Sequence, residues 1–161
     1  MTTVRRVITA QTRDGGNEFA RIEDVEPLHL GGNVLRHLVW DWPQTPTLPC
    51  HEPQWLGSQS LPEGAGGVRI ETWLLPAGFP LEGSHPDAGR MHSTDTVDLM
   101  IVLEGALCLR QADDDREVTL TRGDIVVQHG AVHTSYNPFD EPCLVAYVFF
   151  GTTREDTARG R

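Results

Sequence analysis

The chain has 161 residues, 13 basic against 23 acidic, for a formal net charge of −10. That balance argues against nucleic acid and anionic membrane surfaces as partners; an anionic substrate stays open, because a local Arg or a metal can reverse the field inside a pocket. Hydrophobic content of 39% with a mean hydropathy of −0.31 predicts a soluble globular protein, and no run approaches the ~18 apolar residues of a membrane span. The length predicts one domain. Residues 1–6 lead into no apolar stretch, so no secretory signal is expected and a cytoplasmic location is.

Short apolar runs alternate with turns drawn from 16 Gly and 11 Pro, which predicts an all-β sandwich or barrel. The first strand is expected over Val4–Thr12, ending in a turn at Asp14-Gly15-Gly16. A second is expected over Asn33–Trp40, introduced by Gly31-Gly32. Residues 42–67 form a long irregular excursion, rich in proline and glycine, that must find apolar surface for Trp42 and Trp55; loops of this length are usually functional or mobile. Val68–Leu75 reads as a strand stopped by Pro76-Ala77-Gly78. A hairpin rhythm follows, with strands over Asp98–Leu103, Ala106–Arg110, Arg116–Leu120, Ile125–Gln128, Ala131–Tyr136 and Cys143–Phe150. Gly, Asp and Asn mark the turns between them. The organisation expected is N-terminal strands and the excursion over 1–67, a barrel core over 68–151, and a disordered tail over 152–161.

Leu99–Leu103 and Leu144–Phe150 are apolar on both faces. A half-solvated strand alternates, so both faces of these strands must be covered. One lines the interior; the other meets a second sheet, the N-terminal strands or a second subunit, and a homodimer is expected. The three cysteines, Cys50, Cys108 and Cys143, form no C-x-x-C pair, so no zinc ribbon or dithiol site is indicated. There is no Gly-rich phosphate loop, no G-x-S-x-G elbow and no H-E-x-x-H.

The chemistry concentrates between residues 91 and 137. Met91-His92-Ser93-Thr94-Asp95-Thr96-Val97-Asp98 runs into an apolar segment that ends at Glu104-Gly105. Gly123 opens a second segment that carries His133 and closes at Asn137. Two imidazoles and one carboxylate at strand ends can bind one metal ion, in the pattern used by non-haem iron(II) oxygenases. In a straight strand the six steps from His92 to Asp98 would span about 20 Å. Either the chain turns between Ser93 and Val97, or the pair shares no metal.

These segments resemble the paired motifs of the cupin superfamily, G-x5-H-x-H-x3-4-E-x6-G and G-x5-P-x-G-x2-H-x3-N. His92 matches the first His, Gly105 the closing Gly, Gly123 the opening Gly of the second motif, His133 its His and Asn137 its Asn. Thr94 stands where the second His belongs and Asp98 where Glu belongs, and the Pro-x-Gly turn is shortened to His129-Gly130. The segment is similar to a small bacterial cupin subgroup reading His-x-Thr-x-Thr-x-Asp. The resemblance implies a double-stranded β-helix, a jelly-roll barrel with extra N-terminal strands. It implies a divalent metal, Fe2+ first, with Zn2+, Mn2+ or Ni2+ as alternatives, held by His92, Asp98 and His133. It also implies a pocket that includes Thr94, Thr96, Met100, Trp73 and Asn137. Arg69, Glu71 and Trp73 share one face of Val68–Leu75; on the pocket face, Arg69 would hold a carboxylate and Glu71 act as a base, and otherwise the face is an outer one. His85 could reach the site from a loop.

Three functions follow as expectations. The first is a non-haem iron dioxygenase acting on a small organic molecule. The second is a lyase or isomerase using the metal as Lewis acid for dehydration, decarboxylation or cyclisation. The third is a metal-free, non-catalytic small-ligand binder.

Overall fold

Alternating side chains build the chain into facing sheets with apolar surfaces turned toward each other. The computed structural model describes residues 3–53, 57, 60–62, 64–84, 88–114 and 116–153; Trp55, His85 and the tail from 154 lie outside them. The described residues hold strands and turns and no helix, so none is long and apolar enough to cross a membrane. In chain order the strands are β1 (Val4–Gln11), β2 (Asn17–Val25), β3 (Leu28–His29), β4 (Leu35–Trp42), β5 (Val68–Leu75) and β6 (Thr96–Glu104). β7 (Ala106–Gln111), β8 (Glu117–Thr121), β9 (Ile125–Gln128), β10 (His133–Tyr136) and β11 (Cys143–Gly151) complete them.

A six-stranded sheet runs in the order β3-β4-β5-β11-β6-β9, and a three-stranded sheet in the order β10-β7-β8. Among the described residues, hydrogen bonding does not close the two into one continuous barrel. Their facing sides make the core: Val34, Leu75, Met100, Val102, Leu107 and Val145 are buried there. Met100, expected in the pocket, is part of this packing. Cys143 is fully buried there as well, and burial pushes its thiol up to about 11. It is a small apolar filler.

Among the described strands, β1 and β2 pair with each other alone, register Val7↔Ile22. β2 is absent from the sequence-based reading, and its exposure explains why: every residue but Val25 is exposed. With charges spread along it, it shows no apolar run. Arg6 ties the hairpin to the large sheet, bonding Glu23 at 2.7 Å and the carbonyl of Val39 at 2.9 Å while lying 5.8 Å from the Trp40 ring centroid. Trp42, from the start of the excursion, packs against Trp40 with ring centroids 6.0 Å apart.

Two motif residues act through the backbone. Gly105 turns β6 into β7 at φ 76°, and a Cβ there would stand 2.4 Å from the carbonyl oxygen of Pro142; only glycine fits both constraints. Asn137 is fully buried. Its amide donates to the carbonyls of Pro76 (3.0 Å) and Glu141 (2.9 Å), and its oxygen accepts from the Phe139 amide (3.0 Å). It fastens the loop before β11 to the end of β5 and does not line the cavity.

Candidate functional site

His92 and His133 meet through the backbone. They form an isolated antiparallel bridge, exchanging both N–H···O bonds at 2.9 Å. Directly opposed residues in such a pair put their side chains on one face, and the two imidazoles stand with ring centroids 4.7 Å apart. Each ring faces a carbonyl two residues back: His92 Nδ1 lies 3.0 Å from the oxygen of Arg90, and His133 Nδ1 lies 2.9 Å from that of Ala131. A carbonyl only accepts, so each Nδ1 carries a proton, which in the neutral ring leaves the lone pair on Nε2. The Ala131 carbonyl also accepts from Gln128 Nε2 at 3.1 Å, which fixes its direction.

Asp98 arrives from the other sheet. The chain leaves the His92 bridge, crosses in Ser93–Asp95 and enters β6 at Thr96, the turn that a shared site requires. β6 alternation points Asp98 inward, paired with Phe149 on one side and Gln128 on the other. The Thr-x-Thr-x-Asp spacing forms a chain of hydroxyls. Thr96 donates to Thr94 at 2.8 Å, and Thr94 donates to Asp98 Oδ2 at 3.5 Å. Asp98 Oδ1 is buried and has no hydrogen-bond partner among the described residues. Burial pushes the Asp98 carboxyl above its ordinary value, against hydrogen bonds from Thr96 and Thr94 and the nearby imidazoles. Burial also holds His133 below the ordinary imidazole value.

His92, His133, Asp98, Thr94 and Trp73 line one cavity of ≈ 630 Å³, within the range of small-molecule sites. The floor between them is aromatic. Trp73 meets Tyr147 edge-on with centroids 6.3 Å apart, and Tyr147 stacks on Phe149 at 5.5 Å. Burial drives the Tyr147 hydroxyl far above its ordinary value, against a hydrogen bond with Ser135.

Other expected site residues stand elsewhere. Thr96 and Met100 are buried and do not line the cavity. Nor do Arg69 and Glu71, both 2% exposed. Glu71 accepts from Trp73 Nε1 at 2.6 Å and pairs with Arg36 at 3.4 Å and Arg69 at 4.0 Å. Burial raises its carboxyl, opposed by the Trp73 bond and the two guanidiniums. Glu71 therefore works behind the wall, on residues that line it. Arg36 is in the lining and was missed by the sequence reading. It sits at an inward position of β4 beside Trp73, and its only sequence signal is the one arginine of a strand that also carries His37 and Asp41.

The donors fit a divalent cation in chemistry: two imidazoles whose Nε2 atoms are not tied to the carbonyls, and a buried carboxylate oxygen without a partner among the described residues. In position they do not yet enclose one, since among the described residues no three His, Cys, Asp or Glu side chains are grouped to hold an ion.

No protein-family model matches the chain, and no curated protein matches it. Solved structures do. KdgF from Halomonas sp. is 15% identical over 81% of this chain and 91% of its own, with a TM-score of 0.52. The polyketide cyclase RemF from Streptomyces resistomycificus is 16% identical over 83% of this chain and 80% of its own, with a TM-score of 0.53. An RmlC-like cupin from Shewanella frigidimarina is 17% identical over 82% and 87%, with a TM-score of 0.49. The first two likenesses show the fold alone: the chain has the all-β, cupin-type fold of these structures.

Proposed function

We propose that this cavity is the active site of a cupin enzyme acting on a small organic molecule, with His92, His133 and Asp98 as its reacting groups. One observation carries the reading: two imidazoles, each with Nδ1 tied to a carbonyl, share a cavity with a buried carboxyl from the facing sheet. A divalent cation held by His92, His133 and Asp98 would supply Lewis acidity and, if it is iron(II), open positions for substrate and O2. Thr94 holds Oδ2 of Asp98, which leaves Oδ1 for the cation. The aromatic floor keeps bulk water off the reacting end and offers flat surface to an unsaturated substrate. A dioxygenase is the first form of this proposal. A lyase or isomerase is the second, and cyclisation is the reaction named for one structural neighbour.

The ungrouped donors favour one further reading, a small-ligand site that works without metal. There, Asp98 with its raised carboxyl and His133 with its lowered imidazole bind or exchange protons directly. Elemental analysis of freshly purified protein separates the two. Near one equivalent of iron, zinc, manganese or nickel per chain, lost in His133→Ala, supports the metal enzyme. An empty wild type that gains no ion on dialysis against each metal overturns it and leaves the metal-free site.

A further inference from the structure

We propose that the hairpin β1–β2 covers the bare half of the large sheet in a second copy of this chain, while the partner's hairpin covers the same half here. This interface is independent of the reading of the cavity.

The outer side of the large sheet is half clothed. Strand register sets Trp40, Ile70, Val148, Leu99 and Val127 in one row across it, and a parallel row runs from His37 to Ile125. Exposure climbs along both rows. The β4 residues are buried, those of β11 and β6 half-buried, and those of β9 exposed. At the β4 end lies the hairpin, with Arg6 against Trp40 and on the Val39 carbonyl. From β11 to β9 the two rows are aliphatic throughout, a surface that calls for a partner.

The hairpin has two faces and its own chain uses one. Arg6 and Ala10 are buried on the inner side. Directly opposed residues share a face, so Val7 with Ile22 and Thr9 with Phe19 lie on the outer side. There Phe19 is 69% and Ile22 59% exposed. Leu48, also exposed, faces Phe19 across a groove.

A twofold axis parallel to the strands, above the middle of the sheet, covers both surfaces at once. Each hairpin is then a layer shared by two sheets about 20 Å apart, two of the ~10 Å steps at which sheets pack. Two ribbons side by side are four strands wide, against the five from β4 to β9. Such an axis preserves height along the strands. Arg6 meets the Trp40 row, so the adjoining pair Val7–Ile22 of the partner's hairpin meets the Val127 end of that row. With eight residues in β1, one face of the ribbon measures about 26 by 10 Å. Two contacts, each hiding such a face on both partners, bury about 1,000 Å², which reaches the size of a specific interface. A twofold axis also allows the two bare halves to meet directly, but that arrangement leaves Val7, Phe19 and Ile22 in water.

Hydroxyl-radical footprinting of the wild type tests this with two side chains of the same intrinsic reactivity. Within one chain Phe19 is 69% exposed and Phe139 37%. In the assembly Phe19 should label more slowly than Phe139; faster labelling of Phe19 overturns the proposal without relying on any variant. Light scattering then locates the contact. Ile22→Lys and Val127→Glu should each halve the mass of the wild type. Mixed, they should restore it, because the introduced lysine of one chain meets the introduced glutamate of the other and the second contact is unaltered. Ile22→Lys that keeps the wild-type mass overturns the exchanged cover in favour of bare halves meeting directly. Variants that stay single chains when mixed overturn the register, and a wild type of one chain mass at micromolar concentration overturns the interface.

Discussion

Two carboxyls at or behind this cavity, Glu71 and Asp98, are raised by burial and answer to different neighbours. Glu71 is a buried carboxylate between two guanidiniums. Removing it takes a buried carboxylate from beside Arg36 and Arg69, so Glu71→Ala should destabilise the fold by about 3 kcal/mol, the usual cost of breaking a buried ion pair from one side; urea unfolding measures it. Asp98 faces the cavity. Its folded pKa lies above its unfolded one, so the stability it contributes is complete below about pH 3.9 and is lost as pH rises through the folded value. At neutral pH its charge is a cost to the metal-stripped protein. Metal-stripped Asp98→Asn should therefore melt above metal-stripped wild type at neutral pH, with the gap closing toward about pH 4. A melting temperature unchanged across that range contradicts the burial assigned to this carboxyl.

At the scale of strands, the hairpin β1–β2 is the weakest attachment. Arg6 links it to the sheet through Glu23, the Val39 carbonyl and Trp40. Arg6→Ala should cost about 2 kcal/mol. Hydrogen exchange should rise first in β1 and β2, with β5, β6 and β11 still protected. What could be read from sequence follows the same divide. β5 and β9 coincide with their expected bounds, and β6, β7 and β11 differ by a residue or two, because turn residues and apolar runs mark them locally. β2 has no such mark. The site was legible where a motif is local: His92, Thr94, Asp98 and His133 do share a cavity. Arg36, Tyr147 and Phe149 reach it only through the pairing of β4, β5, β11 and β6, which no local spacing encodes. For the same reason Arg69 and Glu71 have the expected inward parity and yet lie behind Arg36 and Trp73. Asn137 and Gly105 hold their motif positions for backbone reasons.

On the scale of the molecule, the outer face of the large sheet is where an assembly would form. Outward positions of β6, β9 and β11 bring Leu103, Ile125, Val127 and Phe150 to the surface, with Ile125 63% and Val127 52% exposed. These residues continue the both-faces-apolar strands, and a second copy pairing through the same face about a twofold axis would cover them. Light scattering should give about twice the chain mass of 17.8 kDa, and Ile125→Lys should return it to one chain. A wild type that stays at one chain mass at micromolar concentration contradicts the dimer.

The metal-enzyme reading depends on His92, His133 and Asp98 acting together across the two sheets. Calorimetric titration of metal-stripped protein with Co2+, followed by the visible spectrum of the ion, tests that directly. The wild type should take up one ion per chain. His92→Ala and His133→Ala should lose it, and Asp98→Ala should weaken it by at least about tenfold. Undiminished uptake in His133→Ala, or in Asp98→Ala, would contradict a shared centre.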